Sequence, residues 1–133
     1  MRGSCLCGQV AYDVERLASA PRHCSCNTCR KAHAAAFNTS ASVKQSQFRW
    51  LQGEELLSSF ESSPGKHRYF CSRCGSQLVA HRSGSDTMAL RVATLDDDPG
   101  QAPQAHIWLS SEVPWLAYGR EVPSFEGWET SAS

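Results

Sequence analysis

The sequence predicts a mostly β fold, and three observations carry that reading. Apolar Val10, Tyr12 and Val14 alternate with polar neighbours over GQVAYDVE, the period of a half-buried strand. Five further runs of five to nine residues have a strand-like make-up and are separated by Gly, Pro, Ser or Asp. Only NTCRKAHAA reads as helical, long enough for about two turns.

In chain order, the GQVAYDVE strand comes first and the short helix at 27–35 second. AAFNTSASV (35–43), ELLSSFES (55–62), KHRYFC (66–71), SQLVAH (76–81) and TMALRVATL (87–95) follow as strands. LDDDPGQAPQA (95–105) is a surface loop by composition, and its acidic run is expected to be solvated. Trp108, Trp115, Phe125 and Trp128 form an aromatic tail expected to pack on the core.

The 133 residues suit one domain over 1–133 with its own core. Thirteen Lys and Arg balance thirteen Asp and Glu, so the chain lacks the basic footprint of a nucleic-acid or anionic-membrane binder. No run of 18 apolar residues could span a bilayer, and MRGSCLCGQVAYDV contains no signal-like apolar stretch. A cytoplasmic protein with a small-molecule partner is the expectation.

Seven cysteines are an odd number, and in a reducing compartment close-spaced thiols read as metal ligands or redox groups. Cys5-Leu6-Cys7-Gly8 and Cys71-Ser72-Arg73-Cys74-Gly75 both end in Cys-Gly, where glycine tolerates the positive φ of a loop that turns its N–H groups towards thiolates. Together they supply four sulfurs, the number a closed structural zinc site takes, and would clasp the chain's beginning to its middle. A redox CxxC with an unrelated CxC is the competing reading, and it lacks the βαβ pattern that usually accompanies such a motif.

The middle cluster, in HCSCNTC, offers Cys24, Cys26 and Cys29 and runs on into Arg30-Lys31 without a glycine. Three ligands leave the fourth position of a tetrahedral zinc open, as catalytic sites do. Two plainer readings stand beside this one: His23 or His33 closes the site, or the three are free thiols in the core.

GSCLCGQVAYDV, HCSCNTCRKAHAAAFN, YFCSRCGSQL, RVATLDDDP and HIWLSSEVPWLAYGREVPSFEGW together resemble the glutathione-dependent formaldehyde-activating enzyme family, which also includes centromere protein V. The resemblance implies a β-tent fold of the Mss4-like kind built around two zinc ions per chain. Cys5, Cys7, Cys71 and Cys74 match the family's structural site, and Cys24, Cys26 and Cys29 its catalytic one. It also implies a zinc-dependent carbon–sulfur lyase or synthase whose reference reaction joins glutathione and formaldehyde into S-(hydroxymethyl)glutathione. Arg30 and Lys31 are then expected to hold the carboxylates of a small thiol or its aldehyde adduct, with His33 and His67 as proton carriers. Where the family usually carries a Ser-Gly pair, this chain has Ala32-His33-Ala34. The alternatives are a non-catalytic, zinc-stabilised module with a partner-binding surface, and an adaptor of the centromere-protein kind, against which the zero net charge argues.

Overall fold

Period-two alternation gives strands with one apolar side, and here they assemble into two sheets that share an apolar layer. The computed structural model describes residues 1–116 and 122–129; residues 117–121, within the aromatic tail, and 130–133 lie outside the described residues. The smaller sheet has the order β1 (Arg2–Ser4), β2 (Ala11–Val14), β5 (Phe48–Gln52). The larger has seven strands, in the order β10 (Ala105–Ile107), β3 (Arg22–Cys24), β4 (Asn38–Lys44), β9 (Thr87–Arg91), β8 (Gln77–Arg82), β7 (Lys66–Cys71), β6 (Leu57–Ser63). Paired strands are antiparallel except β10, which runs parallel to β3. One helix, α1 (Asn27–His33), bridges β3 and β4.

Register sorts the larger sheet into two unlike faces. Ala41, Leu90, Val79 and Tyr69 lie in one cross-strand row and join the apolar core with Val43 and Met88. The smaller sheet meets that face with Tyr12 and Val14, and Val10 just ahead of β2 completes the layer. The neighbouring row reads Ser42, Ala89, Ala80, Arg68 and Phe60, with Arg91 opposite Ser40. This second face carries cations, and α1 lies beside it.

Tyr12 is the centre of the apolar layer. Its ring stacks on Phe48 at 5.1 Å and meets the edge of Trp50 at 6.1 Å. Gly3 lies beneath it, where a Cβ would collide with the ring. The Thr94 hydroxyl spends its hydrogen on the Arg91 carbonyl (2.8 Å), so the Tyr12 hydroxyl donates to Thr94 Oγ1 at 2.7 Å. Burial of the phenol pushes its pKa up to about 12.

The mostly β reading holds, and the strand at 66–71 falls where the pattern puts it. The run at 87–95 divides, with β9 ending at Arg91 and a 3-10 turn over Val92–Thr94. The helix stops at His33 because Ala34 adopts the left-handed conformation (φ 48) and its N–H returns to the Arg30 carbonyl. Strands β1, β3, β5 and β10 escaped the periodicity reading; three of them have only three residues, too few to show a period. The acidic run is tied down rather than merely solvated: Arg2 N–H donates to Asp97 (2.7 Å) and the Ser4 hydroxyl to Asp96 (2.9 Å).

The aromatic tail differs from expectation. Trp115 is 71% and Trp128 90% exposed, and Trp108 and Phe125 are exposed as well. The two sheets already close the apolar layer, and the short edge strand β10 releases the chain on the outside; among the described residues of the tail, Val113 is the one that is buried.

Tyr12→Phe removes one buried hydrogen bond while keeping the ring, so it is expected to lower stability by about 0.5–1.5 kcal/mol in urea unfolding. Tyr12→Ala removes the ring as well and is expected to cost about 3–5 kcal/mol. Equal losses for the two variants would contradict the packing role given to the ring.

Candidate functional site

Two loops that each close on a Cys-Gly turn build the first cluster. After β1 the Gly8 N–H returns to the Cys5 carbonyl (3.0 Å), and after β7 the Gly75 N–H returns to the Cys71 carbonyl (2.8 Å). Both glycines have positive φ, 77° and 80°, which side-chain-bearing residues rarely adopt. The loops are stitched to each other by the Leu6 N–H, which donates to Ser76 Oγ at 2.9 Å.

This brings the four sulfurs of Cys5, Cys7, Cys71 and Cys74 within 4.8 Å of one another. Cys5 and Cys7 sulfurs stand 3.5 Å apart, and Cys7 and Cys71 sulfurs 3.9 Å. A disulfide needs about 2.05 Å. A tetrahedral ion with bonds of about 2.3 Å to sulfur spaces its ligands about 3.8 Å apart, so this set fits a thiolate-bound metal such as zinc. Electrostatics points the same way. The Ser76 hydroxyl draws Cys74 down to about 5, whereas the Gln9 N–H that favours a Cys7 thiolate is outweighed by burial and the neighbouring sulfurs, which push Cys7 up to about 11. Four such sulfurs ionise together only around a cation.

The second cluster lies at the start of α1. Cys24 ends β3, Cys26 caps the helix by accepting the Cys29 N–H on its sulfur (3.3 Å), and Cys29 sits in the first turn. The three sulfurs lie within 4.8 Å of one another. Cys24 and Cys29 are buried, and burial pushes Cys24 up to about 12. Burial acts on Cys26 in the same sense, but the N–H groups of Cys29 and Thr28 and the neighbouring sulfurs reverse it and lower its pKa.

Ser25, between two of these cysteines, is fully buried. Its hydroxyl hydrogen-bonds His106 Nε2 at 2.6 Å and its N–H donates to the Ile107 carbonyl at 3.1 Å, so β10 fastens the cysteine loop. Neither candidate histidine joins the three sulfurs. His23 bonds Thr39 through Nδ1 (2.8 Å) and packs on Phe37 at 4.3 Å. His33 points its buried Nε2 elsewhere, near Arg91 and Arg68. Among the described residues the cluster therefore has three donors, and Cys26 lines a cavity of about 370 Å³ shared with Lys66, Arg68, Arg82 and Trp108.

The family model for the glutathione-dependent formaldehyde-activating enzyme matches residues 1–111. The chain belongs to this family. A Halomonas elongata protein named "Putative glutathione-dependent formaldehyde-activating enzyme" is 29% identical, with 87% of this chain and 79% of that protein covered. A crystal structure of a Rhodobacter sphaeroides protein superposes with a TM-score of 0.64 at 28% identity, covering 77% of this chain and 98% of that one.

Within this glutathione-dependent formaldehyde-activating enzyme fold the expected cations part company. Arg30 donates from Nε to the Ser25 carbonyl (3.3 Å) and lines a cavity of about 310 Å³ with Trp115 and no cysteine. Lys31 lines that cavity too, and also one of about 450 Å³ that contains Arg68. His67 lies 3.5 Å from Glu61 and lines none of these cavities. Sequence reading missed Arg68 and Arg91, each 5% exposed, because a cation inside a strand pattern reads as a solvent-side position. Burial, with Arg68 nearby, lowers the Arg91 pKa to about 10, while the charges of Cys29, Cys24 and Cys26 support its protonated form.

Burial and the charges of Arg91 and Arg68 hold His33 near 4, against an ordinary 6.5. Between those values the unfolded chain takes up a proton that the folded chain refuses, so stability falls as pH drops from about 6.5 towards 4. His33→Leu is expected to flatten that part of the stability curve. The cysteine sulfurs protonate in both proteins, so the difference between the two curves isolates His33; a His33 NMR titration midpoint near 6.5 would contradict this assignment.

Proposed function

We propose that residues 1–133 act as one zinc-dependent domain that joins small thiols to aldehydes and reverses the reaction, a carbon–sulfur lyase or synthase of the cytoplasm. Glutathione and formaldehyde are the reference substrates. In the forward direction the sulfur–carbon bond forms, the carbonyl π pair becomes the hydroxyl, and the thiol proton ends on that oxygen. The reading rests on one observation: three sulfurs without a fourth protein donor among the described residues, one of them in the wall of a cavity. An open position and a cavity beside it are what a substrate-binding metal site requires.

Cys24, Cys26 and Cys29 would hold the catalytic zinc, and Cys5, Cys7, Cys71 and Cys74 the structural one. When bound at the first site, zinc supplies a lowered pKa for a thiol and polarisation of an oxygen. The protein's part is positional. Ser25 and His106 hold the cysteine loop to β10, the Cys29 N–H keeps Cys26 oriented, and buried Arg91 balances the excess negative charge of three thiolates on a divalent ion. Arg30 and Lys31 would assist in holding the substrate's carboxylates, Lys31 from the cavity that it lines with Arg68.

Reduced protein purified with zinc available is expected to carry two zinc ions per chain by elemental analysis and to turn over glutathione with formaldehyde. A folded two-zinc protein that catalyses no thiol–aldehyde addition would favour the non-catalytic binding module instead.

The two sites are expected to fail differently. Cys74→Ser should abolish folding, since structural zinc contributes about 10–16 kcal/mol in small peptides against a net domain stability of about 5–15 kcal/mol. Cys29→Ser should keep a near-wild-type circular dichroism spectrum while losing about one zinc equivalent and all activity. The reverse pattern would exchange the roles of the clusters.

A further inference from the structure

Arg68 and Arg91 are buried cations without a carboxylate partner among the described residues. Arg68 Nε donates to Ser62 Oγ at 2.9 Å, but its Nη1 has no partner, and Arg91 lacks one at both Nε and Nη2. A buried guanidinium that leaves N–H groups unmatched is costly unless an anion completes it. For Arg91 the charges of Cys29, Cys24 and Cys26 favour the protonated form. Arg68 lines both the cavity of about 370 Å³ and that of about 450 Å³.

The lining of these cavities is one-sided in charge. Lys66, Arg68 and Arg82 line the first together with Cys26, and among the described residues neither cavity is lined by Asp or Glu. Lys66 and Arg82 are direct cross-strand partners, an arrangement of like charges that is unfavourable until an anion sits between them. Gln77, in the second cavity, has a buried side-chain carbonyl without a partner. An unmatched donor, Arg68 Nη1, and an unmatched acceptor, the Gln77 side-chain carbonyl, are complementary to a molecule that offers a carboxylate and an N–H group.

We infer that Arg68, assisted by Lys66 and Arg82, binds a carboxylate of a small peptide thiol and so determines which thiols reach the three-cysteine site. This deepens the reading given under Proposed function and rests on it for the location of the reacting sulfur.

S-methylglutathione is the probe, since it keeps both carboxylates and has no free thiol to react or bind metal. Calorimetric titration of the zinc-loaded protein is expected to show binding at least about ten-fold tighter for the acid than for its dimethyl ester. Arg68→Met should weaken the acid about ten-fold and leave the ester unchanged, with Lys66→Gln giving a smaller loss in the same direction. Should Arg68→Met not fold, the acid-to-ester ratio and Lys66→Gln decide the matter. Acid and ester binding alike, or both variants binding as wild type, would overturn the inference. Inorganic phosphate competing at concentrations equal to S-methylglutathione would overturn the peptide assignment in favour of a general anion site. Normal binding without turnover of glutathione and formaldehyde sinks the catalytic proposal alone, whereas turnover with an affinity indifferent to Arg68 sinks this inference alone.

Discussion

Sulfur atoms held 3.5 to 3.9 Å apart cannot all be charged unless a cation lies among them, and the rest of the structure is arranged around that constraint. Cys5 and Cys7 follow a strand of the smaller sheet, and Cys71 and Cys74 frame the turn from β7 to β8 in the larger one. The clasp therefore joins the two sheets that also share the apolar layer. Cys5 and Cys71 belong to both closures, since they are buried in the same cluster as Val10 and Leu78. A metal held by these sulfurs would have its affinity coupled to the apolar packing at these positions.

The larger sheet separates two kinds of interaction by register alone. Ala41, Leu90, Val79 and Tyr69 bury hydrocarbon on one side, while the next residues along the same strands present Arg91 and Arg68 to the side of α1 and the three-cysteine cluster. A one-residue slip of β9 against β4 would turn Arg91 into the apolar layer. The hydrophobic pattern thus fixes the charge distribution around the site as well as the core.

Much of this was legible in the sequence for identifiable reasons. Cysteine spacing gave both clusters, because metal geometry demands several ligands from short loops, and Cys-Gly marked the positive-φ turns at Gly8 and Gly75. Alternation located β2, and the strand-like make-up of KHRYFC located β7. β3 and β10 were not legible, as three residues carry no period and their pairing is set by contacts some eighty residues apart. Ser25 and His106 belong to the same class: neither has a local signature, and only the parallel pairing of β10 with β3 brings them together. The exposed positions of Trp108 and Trp115 were equally hidden, since side-chain size argues for burial and only the closed sheet pair leaves no room.

The parallel pairing of β10 with β3 also sets a timetable for biosynthesis. All four sulfurs of the clasp have been synthesised once Cys74 is made, so that site can mature on a chain still attached to the ribosome. The three-sulfur site has its own cysteines earlier, by Cys29, yet the groups that pin its loop, His106 Nε2 and the Ile107 carbonyl, are among the later residues. A growing chain therefore exposes a loose trio of thiols, open to oxidation or the wrong metal, for some eighty residues of elongation before β10 arrives to set it. The three-sulfur cluster is complete in sequence before the four-sulfur one and is pinned in place after it.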